Sequence, residues 1–78
     1  MLSNLRREFD ENNIPTVNMG SDPNGNPYLM ALVKNNKVYV TCYSDGYVIA
    51  HNSTRVEANT AQEAVEYATY APNWKGQE

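Results

Sequence analysis

The sequence predicts a small α+β domain: a three- to four-stranded antiparallel meander with one N-terminal and one C-terminal helix, in the order α-β-β-β-β-α. Three observations predict it. Apolar residues recur with helical spacing near both ends of the chain. Between them lie runs rich in valine, tyrosine and threonine, residues that favour strands. Short polar pairs, Asn35-Asn36 and Asp45-Gly46, separate those runs as tight hairpin turns do.

Leu2, Leu5 and Phe9 stand at i, i+3 and i+7, which puts them on one stripe of a helix over residues 3–12. Ser3 is placed to cap its start. Asn12, Asn13 and Pro15 end it, because Asn tolerates the left-handed conformation after a helix and Pro cannot continue one. Thr16 to Met19 alternate polar and apolar and read as a short strand. Ser21-Asp22-Pro23-Asn24-Gly25-Asn26-Pro27 is dense in turn formers and reads as a loop.

Tyr28–Lys34 and Lys37–Tyr43 are the next strands, joined at Asn35-Asn36. Asp45-Gly46 leads into Tyr47–His51. Asn52-Ser53 reads as a bulge, after which Thr54–Ala58 prolongs the strand. Thr60-Ala61-Gln62-Glu63 fits a capping box, in which Thr and Glu satisfy the exposed amides of a helix start. Ala61, Ala64, Val65 and Ala68 then line one side of a helix ending near Ala71, before Pro72. Residues 1–72 make a single domain and 73–78 a tail, with Trp74 able to fold back.

Length and composition set the bounds. A chain of 78 residues buries only roughly 60–65% of its unfolded surface, enough for one compact core. No stretch reaches the ~18 apolar residues of a membrane span. Arg6 and Arg7 are followed by Glu8, Phe9 and Asp10, where a secretory signal needs an apolar run. Cys42 is the only cysteine, so disulfides within the chain are excluded and a cytoplasmic setting is expected. The net charge of −3 disfavours general affinity for nucleic acid or anionic lipid and is too mild for a DNA mimic.

With two-residue turns at both polar pairs, Val33 pairs with Val38, Ala31 with Val40 and Leu29 with Cys42. Across the second turn Cys42 pairs with Ile49 and Val40 with His51. Side chains alternate between faces, so Leu29, Ala31, Val33, Val38, Val40, Cys42 and Ile49 share an aliphatic face suited to the helices. The other face carries Tyr28, Met30, Leu32, Tyr39, Thr41, Tyr43, Val48 and Ala50, with Tyr28 opposite Tyr43 and Leu32 opposite Tyr39. A solvated antiparallel face is normally polar; this one is amphipathic and aromatic. Either one helix covers each face, or the tail with Trp74 covers the tyrosines, or the second face meets another molecule. The last is favoured by size, because two short helices hardly cover both faces of a four-stranded sheet.

Catalytic chemistry finds little support. His51 reads as a hydrogen-bonded structural histidine beside Val40, separated from Cys42 by more than the ~2.6–3.2 Å a nucleophile–base pair needs. Asp10 and Glu11, like Glu63 and Glu66, adjoin without a cleft to hold a substrate. No metal or calcium-loop spacing and no phosphate-binding glycine pattern occurs. A non-enzyme without cofactor or metal is expected.

The candidate partner-binding residues are Tyr28, Met30, Leu32, Tyr39, Tyr43 and Val48. The partner is a protein or a second copy of the chain in a homodimer. The alternative is a single-stranded nucleic acid stacked on the sheet tyrosines, with Lys34, Lys37 and Arg55 as the cations.

The order of helix, antiparallel meander and helix is similar to that of the double-stranded-RNA-binding domain over most of the chain. The last helix departs from that family: a lysine-rich start is replaced by Thr60-Ala61-Gln62-Glu63-Ala64-Val65-Glu66, so RNA binding is not carried over. Short, motif-free, tyrosine-bearing acidic domains also look like small accessory proteins of bacteriophages, including inhibitors of host defence. The expected function is accordingly a small protein–protein interaction module, of the phage accessory or inhibitor type.

Overall fold

The computed structural model describes residues 2–74. It contains α1 (Leu2–Glu11), β1 (Thr16–Ser21), β2 (Pro27–Val33), β3 (Asn36–Tyr43), β4 (Gly46–His51), β5 (Thr54–Ala58) and α2 (Ala61–Tyr70), then a 3-10 turn, Ala71–Asn73. The strands form one antiparallel sheet in the order β1-β2-β3-β4-β5. The expected helix–meander–helix order holds. The sheet has five strands rather than three or four, because Asn52 and Ser53 (φ 50° and 64°) make a hairpin turn instead of a bulge. Two consecutive residues at positive φ match the twist of antiparallel strands and reverse the chain completely.

The ends of the helices follow from their flanking residues. α1 starts at Leu2, so Ser3 lies inside the helix rather than at its cap. Its end is a Schellman motif: Asn13 takes φ 60°, its amide donates to Asp10 O (3.0 Å), and the Ile14 amide donates to Phe9 O (2.9 Å). Ile14 then packs on the core. At α2 the Glu63 amide donates to Thr60 Oγ1 (3.1 Å), while Glu63 Oε1 accepts from the Asn59 amide (3.0 Å). This is the capping box with its acidic arm reaching one residue further back than usual.

Both helices pack on the same side of the sheet and against each other. Leu5 and Phe9 from α1 and Ala64, Val65 and Ala68 from α2 are buried against Leu29, Ala31, Val33, Val38, Val40, Cys42, Tyr47, Ile49 and Ala58 of the sheet. The alanines let α2 approach closely. Tyr47 joins this core, where its neighbour in sequence Val48 faces the other way. Trp74 also packs against this core, and its carbonyl accepts from Asn52 Nδ2 (3.3 Å). The alternative in which Trp74 covers the tyrosines is thereby set aside, as is a sandwich with one helix per face. The rest of the expected tail, 75–78, lies outside the described residues.

The faces are as expected, but both hairpin registers differ by two residues. Val33 pairs with Asn36, Ala31 with Val38 and Leu29 with Val40, because the turn is Lys34-Asn35 (φ 50° and 68°). Val40 pairs with Ile49 and Cys42 with Tyr47, because the second turn is Ser44-Asp45. Moving a two-residue turn by one position shifts the pairing by two, and a shift of two keeps every side chain on its face. Thus alternation alone specified the faces, while the partners depended on which of two adjacent polar pairs turned.

β1 and β5 are the edges of the sheet. β1 carries a bulge between Asn18 and Gly20, where Gly20 takes φ +97° and its amide donates to Asn18 Oδ1 (3.0 Å). Such a bulge bends an edge strand away from further pairing. Arg55 and Glu57 place opposite charges along the other edge.

Candidate functional site

The outer face of the sheet is built by the alternate residues of β1 to β5. Its rows follow from the register. One row crosses the whole sheet as Val17, Met30, Tyr39, Ala50 and Arg55. The next runs Tyr28, Thr41, Val48 and Glu57, with Gly20 beside Tyr28. Leu32 lies opposite Lys37 and Tyr43 opposite Gly46. The expected pairs Tyr28–Tyr43 and Leu32–Tyr39 are therefore replaced by Tyr28–Thr41 and Met30–Tyr39. The aromatic rings interleave with smaller residues and with Met30 instead of forming a continuous tyrosine strip.

No described element packs over this face. Leu32, Tyr39 and Tyr43 are 40%, 37% and 39% exposed, while Tyr28, Met30 and Val48 are half-buried among their neighbours. Val17 extends the apolar surface onto β1 and is 50% exposed. Sequence reasoning did not place it there, because the bulge and the long β1–β2 loop hide the phase of that strand. The signal available was the Thr16–Met19 alternation, which becomes useful only once Val17 is known to pair with Met30.

The loop between β1 and β2 leans toward this surface. Ser21, Asp22 and Pro23 bound an open groove of about 310 Å³ together with Tyr28, Tyr39, Thr41, Ala50 and Arg55. Thr41 and Ala50 are the smallest side chains in the two long rows, so the depression falls between the rings of Tyr28 and Tyr39. Asp22 holds the loop in shape: its Oδ1 accepts from the amides of Asn24 (2.9 Å) and Asn26 (2.8 Å), and Oδ2 from Asn26 Nδ2 (3.3 Å). The Asn26 amide above all lowers the Asp22 pKa below its ordinary value of 3.8, since these donors favour the charged carboxylate.

The cations considered for nucleic acid are placed as follows. Lys37 and Arg55 belong to the outer face, two residues and two strands from Tyr39 respectively, and Lys34 sits in the β2–β3 turn. Across the sheet, from Thr16 to Ala58, Asp22, Asp45 and Glu57 balance them in number. The start of α2, where the double-stranded-RNA-binding domain is basic, carries Glu63 and Glu66.

Cys42 and His51 are not brought together. Cys42 is buried opposite Tyr47, and burial pushes its thiol pKa up from 9.0. Burial also raises the Tyr47 phenol, with the nearby Cys42 adding to it. His51 pairs with Thr54, not Val40, at the opposite end of β4. Four strand residues at about 3.3 Å each separate its row from that of Cys42. Its Nδ1 lies 2.9 Å from Lys37 O. A carbonyl can only accept, so Nδ1 donates in this contact, and Nε2 is buried without a hydrogen-bond partner. Among the described residues no three His, Cys, Asp or Glu side chains are grouped to hold a metal ion, and no helix is long and apolar enough to cross a membrane.

No protein-family model, curated protein or solved structure matches the chain. The outer face must therefore be read from its own chemistry.

Proposed function

We propose that the chain is a non-catalytic binding module that works by association of its outer sheet face with another protein surface. The observation that supports it is the asymmetry of the two faces. Both helices and Trp74 lie on one side, and Val17, Met30, Leu32, Tyr39 and Tyr43 are left on the other. Tyr and Met are enriched at interfaces, because they offer apolar area with few degrees of freedom or with adaptable shape. A steric inhibitor of a host defence complex, in the manner of small bacteriophage accessory proteins, requires only such a presented face of roughly 800 Å². The buried thiol of Cys42 suits a reducing, cytoplasmic setting.

Tyr39→Asp tests the reading, because it places a charge at the centre of the long row without touching the core. The variant keeps its far-ultraviolet circular dichroism and its thermal midpoint within about 5 °C, and it loses association with its protein partner. Unfolding of the variant would assign the face to the core and overturn the reading.

Single-stranded nucleic acid is the second reading, favoured by Lys37 and Arg55 flanking Tyr39. Its mark is affinity that falls steeply with salt. Binding through the apolar rows has a much weaker salt dependence.

A further inference from the structure

The sheet and its turns carry six formal charges between Thr16 and Ala58, and they are sorted along the strand direction. Lys34, Lys37 and Arg55 lie toward the end where β2 turns into β3 and β4 into β5. Asp22, Asp45 and Glu57 lie toward the other end, with the β1–β2 loop and the β3–β4 turn. Three cations and three anions cancel, so the chain's net −3 arises entirely outside the sheet. The sheet with its turns is thus neutral, and its outer face is apolar at the centre, with the charges separated along the strands.

A surface of that pattern is complementary to itself. We propose that the outer face docks on the same face of a second copy, with a two-fold axis in the interface and perpendicular to the strands. This rests on the reading of that face as the binding surface and names its partner. The axis exchanges the two strand ends and leaves the order of strands unchanged, so β5 lies over β5 and the cation-bearing end of each sheet lies over the anion-bearing end of the other. Arg55, in the Met30–Tyr39 row, then faces Glu57 of the second copy, and the symmetry makes the pair twice. Met30 comes over Tyr28 in the same way, a sulfur–aromatic contact repeated on both sides of the axis. A two-fold axis parallel to the strands and through β3 is rejected, because it stacks Lys37 on its own copy and, by reversing the strand order, sets Arg55 over Val17 with no opposite charge to meet.

Size agrees. Five strands about 4.8 Å apart and roughly 20 Å long present on the order of 500 Å² in projection. Side-chain relief raises that toward the roughly 800 Å² each partner buries in a stable pair. Aligned packing of two such sheets is an ordinary way to build a sandwich core.

Sedimentation equilibrium across protein concentration tests the proposal with a charge swap. The unmodified chain is a dimer. Arg55→Glu puts Glu over Glu57, and Glu57→Arg puts Arg over Arg55, so each single variant dissociates with a Kd raised about tenfold or more. Mixing the two single variants restores a dimer, because every facing pair is again of opposite sign. The double variant R55E/E57R restores it within one chain. Neither loss nor rescue is expected if these residues serve only the fold. A monomer at all concentrations up to about millimolar, with Tyr39→Asp still folded, overturns the self-association but leaves the outer face free for a foreign protein. A dimer that tolerates both single charge reversals overturns the proposed docking geometry. Unfolding of Tyr39→Asp overturns the binding-face reading as well.

Discussion

Gly46 begins β4 at a point where the backbone of β5 comes unusually close. A Cβ on this residue would stand 2.7 Å from Ala58 O, well inside van der Waals contact. The glycine is not at positive φ, so its role is room and not conformational freedom. Gly46→Ala is expected to push the end of β5 outward and cost roughly 1–3 kcal/mol, as overpacking does. A chemical denaturation midpoint unchanged from that of the natural sequence would contradict this. Lys34 shows the opposite relation: its φ of 50° is a conformation that suits Gly or Asn, adopted here because the neighbouring strands determine the turn. A local preference can thus be outweighed by the six residue pairs of the β2–β3 ladder, each hydrogen bond contributing about 0.5–1.5 kcal/mol.

At the scale of elements, the β1–β2 loop is the segment most dependent on one side chain. The Asp22 carboxylate gathers the amides of Asn24 and Asn26 and bounds the groove beside Tyr28. Its folded pKa is depressed, so its contribution is present above the ordinary carboxylate value of 3.8 and is lost as pH falls through the lower folded value. In an NMR titration the Asn24 and Asn26 amide resonances are expected to move together with a midpoint below 3.8. A midpoint at or above that value would show that the amides are not bonded to an ionised Asp22. The two helices depend less on single contacts. α1 ends in a Schellman motif and α2 begins in a capping box, and both are held by apolar stripes against one face of the sheet.

For the whole molecule, a chain of this size has a total stability of roughly 4–12 kcal/mol. Phe9 and Leu5 are fully buried and are the largest side chains that α1 brings to the core. Phe9→Ala is expected to cost about 3–5 kcal/mol, which lowers the thermal midpoint by some 15–25 °C in a domain this small. A fall of less than about 5 °C would mean that α1 is not part of the cooperative core. Placing both helices on one side makes that core thick enough to exclude water and leaves the outer face to be closed, if at all, by another molecule.

The alternation of apolar residues in 28–43 and 46–51 determined by itself which side chains share a face, since a strand has period two and any even slip preserves the assignment. The stripes Leu2-Leu5-Phe9 and Ala61-Ala64-Val65-Ala68, with their caps, likewise determined two helices. Residue order did not decide the hairpin partners, because Lys34-Asn35 and Asn35-Asn36 are both plausible turns and differ only in long-range pairing. Nor did it decide that Asn52-Ser53 reverses the chain, which depends on β5 finding β4 to pair with. The choice of one face for both helices also belonged to the tertiary structure. Apolar stripes specify that a helix must be covered, but only packing α1 against α2 specifies where, and that packing leaves Tyr39 and its row in contact with solvent.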